Sequence, residues 1–188
     1  MLPPWSDADP LLAAAAERFG TPAYVYLTDR IDQRADRLAQ DFGRWFRLSY
    51  AVKANPNPAL LGWLCGRVPL LDVSSIGEVR RALAAGWPAG DLSFTGPAKR
   101  SAELAEALAV GVGDIVLESL DEALALNDLA GAAGQVARVL VRLSPDRVPK
   151  GFGDHMAGRP SPFGIDVEEA HTALPKIAAL PHLHLAGL

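Results

Sequence analysis

Only four lysines occur in this chain of 188 residues, and the first, Lys53, ends the apolar run of SYAVKANPNPALL. Lysine has a use that arginine lacks. Burial or neighbouring charge lowers its ammonium pKa until the neutral amine can act as a nucleophile, whereas guanidinium stays protonated. Read as a strand, residues 48–54 put Ser49, Ala51 and Lys53 on one face and Tyr50, Val52 and Ala54 on the other. Lys53 then stands above small side chains. Other polar residues occur in the same way in later runs. Asp72 opposes Leu71 and Val73 in LLDVSS, Arg142 opposes Val139, Val141 and Leu143 in RVLVRLS, and His184 alternates with Leu183 and Leu185. Charges that share an inward face are costly unless they neutralise one another or a charged ligand. The pattern therefore points to a binding site at the strand ends. A lysine that merely snorkels from a strand end is the plainer alternative for Lys53.

The elements that would position these residues alternate along the chain. Asp9 to Phe19 is Ala/Leu-rich and stops at Gly20, and Ala23 to Leu27 (AYVYL) has the branched and aromatic character of a strand. From Thr28 to Phe42 the apolar residues Ile31, Ala35, Leu38 and Phe42 recur at helical spacing. Strands are expected near Arg47–Ala54, Leu70–Ser74, Leu92–Thr95, Asp114–Glu118, Arg138–Leu143 and His182–Leu188, with helical patterns between them. This repeat is that of parallel β/α architecture, in which helices cover the strands. A (β/α)8 barrel is expected, incomplete here, with about six of its eight strands and fewer than the roughly 250 residues typical of one. An open doubly wound sheet is the alternative. Residues 1–27 read as a helix and strand ahead of the barrel, and 28–188 as an N-terminal portion of the barrel itself.

Composition narrows the function classes. A net charge of −4 gives no electrostatic footing for nucleic acid or an anionic membrane, which leaves a small-molecule ligand. Cys65 is the only cysteine, so an intrachain disulfide is impossible and a reducing, cytoplasmic setting is expected. Neither a Gly-x-Gly-x-x-Gly after the first strand nor a Gly-x4-Gly-Lys-Ser/Thr is found. The pair His182-x-His184 supplies two donors without a third, so no metal is expected.

The segments YAVKAN, DVSSIGEVRRALAAG, FTGPAKR, VLESLDEA, VLVRLSPD and FGID, in this order, resemble the pyridoxal phosphate-dependent ornithine/diaminopimelate/arginine decarboxylase family, whose catalytic domain is an alanine-racemase-like barrel. The resemblance runs from Thr21 to Leu188. It implies pyridoxal 5′-phosphate as cofactor, held by Lys53 as a Schiff base, and removal of the α-carboxylate of an amino acid. It also implies a homodimer in the full-length protein. Asp72 and Glu78 match the family's Asp-x-x-Ser-x-x-Glu stretch at the cofactor, and Arg142 matches the arginine that approaches the cofactor ring. Two readings stay open for Glu78, because Ser75-Ile-Gly-Glu78 is also a capping box. Ser119-Leu-Asp-Glu122 fits the same box, and Gly96, Pro97 and Lys99 match a family loop whose role is its shape.

The family's stacking histidine, its glycine-rich phosphate loop and its acidic partner for the ring nitrogen would fall beyond Leu188, so this portion alone is expected to be inactive. Val148 to Asp166 is a long Gly/Pro-rich loop, similar to that of family branches acting on carrier-linked or otherwise unusual amino acids. Lys150, His155 and Arg159 are its candidates for contact with an anionic distal group, or are ordinary solvated loop charges. The alternatives to a decarboxylase are an alanine racemase-type enzyme and a non-catalytic pyridoxal phosphate-binding homeostasis protein. Asn55-Pro-Asn-Pro58 after the lysine fits the decarboxylases.

Overall fold

The computed structural model describes residues 8–147, 158 and 161–188. Helix α1 (Asp9–Phe19) ends at Gly20, whose positive φ closes the last turn with an N–H bond to Ala16. The strand expected over Ala23–Leu27 is not formed. Among the described residues no partner strand lies beside this segment, and Tyr24 is 93% exposed, so its β propensity is not realised. Helix α2 (Thr28–Phe42) follows with the expected span, burying Ala35 on its apolar face while Phe42 remains exposed.

Then the alternation begins: β1 (Ser49–Ala51), a 3-10 turn (Val52–Ala54), α3 (Pro58–Leu64), β2 (Leu70–Val73), α4 (Ile76–Ala84), β3 (Leu92–Phe94), α5 (Ser101–Val110), β4 (Asp114–Leu117), α6 (Leu120–Ala132) and β5 (Ala137–Val141). After β5 come β6 (Leu143–Ser144), β7 (Ile165–Asp166), α7 (Val167–Ala178) and β8 (Leu183–Gly187). Six strands form one parallel sheet in the order β1-β2-β3-β4-β5-β8, and β6 pairs with β7 in a separate parallel ladder. This is the partial β/α barrel that the alternation predicts.

One face of the sheet carries the core. Leu71, Val73, Leu92, Phe94, Ile115, Leu117, Val139 and Val141 are buried beneath the helices. Facing them are small or aliphatic helix residues, among them Leu61, Val79, Ala82, Leu104, Ala107, Ala123, Leu126 and Ile177. Alanines at these contacts let each helix lie close to the strands. Phe94, fully buried, alone contributes about 2–3 kcal/mol by area removed from water.

The other face is the polar one. Strand register aligns Ala51 with Asp72, Asp72 with Ser93 and Ser93 with Asp114. Arg138 is aligned with His184 and reaches Asp114 at 2.7 Å. The alternation read from the sequence therefore holds for Asp72 and His184, and Arg138 shares their face. Arg138 and Asp114 thus neutralise each other across neighbouring strands of this face.

Candidate functional site

Lys53 is carried by the sequence that interrupts its strand. Tyr50 O–H donates to the Asn55 carbonyl at 3.2 Å, folding the chain back over Val52–Ala54. Burial, with Tyr26 nearby, pushes the Tyr50 phenol up, so it remains a donor through the neutral range. Asn55 Oδ1 accepts from Asn57 N–H at 3.0 Å, and Asn57 Oδ1 accepts from Ala59 N–H at 2.9 Å to cap α3, with Pro58 in its first turn. This turn chemistry corrects the expected strand over Arg47–Ala54, which stops at Ala51. Lys53 leaves the sheet from a 3-10 turn just beyond it. Its side chain is exposed and makes no hydrogen bond or ion pair among the described residues.

From Asp72 the polar contacts run along the same end of the sheet. Thr95 O–H donates to Asp72 Oδ1, linking the ends of β2 and β3. Gly96 N–H donates to Glu118 Oε1 at 3.0 Å, and Arg142 Nη1 reaches that same oxygen at 3.4 Å. Four successive strand ends are thus tied side to side.

Arg142 sits at the break between β5 and β6, where its N–H donates to Leu117 O and its carbonyl accepts from Ile165 N–H, each at 2.9 Å. Its guanidinium stacks 4.9 Å from the Phe163 ring centroid. Gly164 is required beside it. It adopts φ of +85°, and a Cβ there would lie 2.9 Å from Arg142 O.

Each expected capping box forms its serine half, while its glutamate reaches back one residue further, to the N–H that precedes the cap. Ser75 Oγ accepts from Glu78 N–H at 3.2 Å and Glu78 Oε2 accepts from Ser74 N–H at 2.7 Å, opening α4. Ser119 Oγ and Glu122 Oε2 repeat this for α6, with bonds of 3.1 and 2.8 Å from Glu122 and Glu118 N–H. One Glu78 oxygen is therefore spent on the helix start.

Lys99 is an internal clamp. Its ammonium contacts Gly96 O at 2.6 Å, Val116 O at 2.8 Å and Glu122 Oε1 at 2.8 Å, with side-chain exposures of 2% for Lys99 and 8% for Glu122. This fixes the turn after β3, where Ala98 holds a φ of +62°. The sequence reading of Lys99 as a shaper of its loop agrees with this.

Glu118 was missed by sequence reasoning. A signal was present, because Glu118 follows Asp114 and Val116 by the strand period at the end of an apolar run. His182 is occupied differently, its N–H bonded to Asn127 Oδ1 at 3.1 Å and its ring packed where a Gly131 Cβ would sit. Lys150, His155 and Arg159 lie outside the described residues.

What this arrangement offers is a primary amine, unengaged among the described residues, just beyond β1 at the end of the sheet that also carries Asp72, Glu118 and Arg142, where such folds place their chemistry. Residues 28–188 match the family model described as the pyridoxal binding domain of pyridoxal-dependent decarboxylases. Among similar proteins, the diaminopimelate decarboxylase of Zymomonas mobilis is 35% identical over 182 residues, covering 94% of this chain and 43% of that protein. The L-glutamyl-[BtrI acyl-carrier protein] decarboxylase of Niallia circulans is 30% identical over 184 residues, covering 94% of this chain and 41% of that one. A crystal structure of diaminopimelate decarboxylase from M. jannaschii in complex with L-lysine superposes with a TM-score of 0.84 at 28% identity, covering 94% of this chain and 43% of that one. The chain thus spans less than half the length of these relatives.

Proposed function

Since the chain belongs to the pyridoxal-dependent decarboxylase family, we propose that Lys53 holds pyridoxal phosphate and that the full-length protein removes the α-carboxylate of an amino acid. The observation that carries this reading is the exposed, unengaged Lys53 amine two residues past Ala51, whose neighbour in register is Asp72. The residues fit the group. A neutral primary amine can condense with an aldehyde, Arg142 brings a cation to the same end of the sheet, and one oxygen of Glu118 is buried with no hydrogen-bond partner among the described residues.

Lys53 Nζ is the binding atom, and the turn fixed by Tyr50 and Asn55 holds its backbone in place. Asp72, which accepts from Thr95, and Arg142, which pairs with Glu118, would help to hold the cofactor. Glu78 would contribute the oxygen that its helix cap leaves over. Bound there, pyridoxal phosphate supplies an electron sink for the pair left on Cα when carbon dioxide departs.

The substrate is a diaminopimelate-like, unusual or carrier-linked amino acid, as the names of the similar proteins support, and Lys150, His155 and Arg159 are the candidates for recognising an anionic distal group. The same reading takes residues 1–27 as preceding the barrel portion at 28–188, and the full-length protein as a cytoplasmic homodimer. Among the described residues no helix is long and apolar enough to cross a membrane.

A panel of amino acids, including diaminopimelate, ornithine, arginine, lysine and carrier-linked glutamate, tests the reaction on full-length protein. Carbon dioxide release without racemisation is the expected result. Racemisation without carbon dioxide would overturn it. Glu78 separates its two roles under substitution. Glu78→Gln keeps an acceptor for Ser74 N–H, so the thermal midpoint should hold, whereas Glu78→Ala should cost about 1 kcal/mol. Pyridoxal phosphate affinity that falls in Glu78→Gln at unchanged stability is the outcome expected of a residue facing the cofactor. Unchanged affinity would leave Glu78 a helix cap alone.

A further inference from the structure

Glu118 is 5% exposed, and the two oxygens of its carboxylate live differently. Oε1 accepts from Gly96 N–H at 3.0 Å and pairs with Arg142 Nη1 at 3.4 Å, while Oε2 is buried and has no hydrogen-bond partner among the described residues. For folding alone a carboxylate is a poor choice here. A neutral amide would also satisfy Gly96 N–H and would avoid burying an unpaired charged oxygen. What the carboxylate adds is a charge on the guanidinium of Arg142. Its own backbone is held too, since Glu118 N–H is bonded to Glu122, which is clamped by Lys99.

We propose that Glu118 is a positioning residue of the cofactor site, acting through Arg142 by fixing the guanidinium between its carboxylate and the Phe163 ring. This rests on the reading of Lys53 and Arg142 as cofactor residues. Gly96 and Arg142 belong to different strand connections, so a single carboxylate oxygen sets the spacing between them. Its replacement by glutamine then lowers affinity without a matching loss of stability.

The test uses full-length protein and pyridoxal phosphate, with Glu118→Gln, Arg142→Gln and the double variant. Glu118→Gln should keep or raise the thermal midpoint, yet lower cofactor affinity about tenfold, the scale of one charge-assisted hydrogen bond, and alter the absorption band of the bound cofactor. In the Arg142→Gln background the same change should add less than about twofold, because the residue acts through the one already removed. Wild-type affinity and spectrum in Glu118→Gln, or the full loss repeated in the double variant, would overturn the proposal. Failure of the underlying site reading shows separately, as borohydride fixing the cofactor on a lysine other than Lys53 in the wild-type protein, and removes the proposal with it.

Discussion

Lys53→Arg abolishes the borohydride-fixed cofactor adduct in the full-length protein and lowers decarboxylation by at least about 10³-fold, the scale of losing a covalent catalytic residue, without a loss of folded protein. The fold is spared because Lys53 is exposed and makes no hydrogen bond or ion pair among the described residues. Chemistry is not spared, since arginine keeps the positive charge but never presents a neutral primary amine. The remaining described lysines are poor substitutes. Lys99 is buried against two carbonyls and a carboxylate, and Lys176 belongs to α7. Mass spectrometry of the reduced adduct reads the result directly. An adduct on Lys99 or Lys150, or a Lys53→Arg protein that still turns over, would refute the assignment.

Lys99→Met destabilises the protein by about 3–5 kcal/mol, because it leaves Glu122 as an uncompensated charge in the interior. Methionine fills much the same volume, so the loss is not one of packing. It strands the carbonyls of Gly96 and Val116 as well, both of which the ammonium satisfies. Adding Glu122→Gln should restore part of the loss. The buried charge disappears while an acceptor for Glu118 N–H remains to cap α6. Denaturant midpoints of wild type, Lys99→Met and the double variant measure this. A Lys99→Met protein as stable as wild type would mean that the pair is solvated in solution.

Much of the site was legible because a strand period converts sequence into direction. Asp72 and His184 could be assigned to one face from their apolar neighbours alone, and register confirms that face across β2 to β5 and β8. The capping boxes at Ser75 and Ser119 were equally legible, since they join residues three positions apart and need nothing from elsewhere. The same local logic misled at Ala23–Leu27 and beyond Ala51. A strand forms only where another strand offers its backbone, and the hydrogen bonds of Tyr50, Asn55 and Asn57 close a turn before β1 can lengthen.

Periodicity and side-chain chemistry along the chain are enough to set the order of elements, the polar face of the sheet and Lys53 as the candidate reactive amine. Which charges meet is a matter of the folded arrangement. Glu118 lies 22 residues from Gly96 and 24 from Arg142 along the chain, and Lys99 lies 23 from Glu122. Such pairings are set by parallel strand order and register, which bring distant loops to one end of the sheet, and no local pattern encodes them.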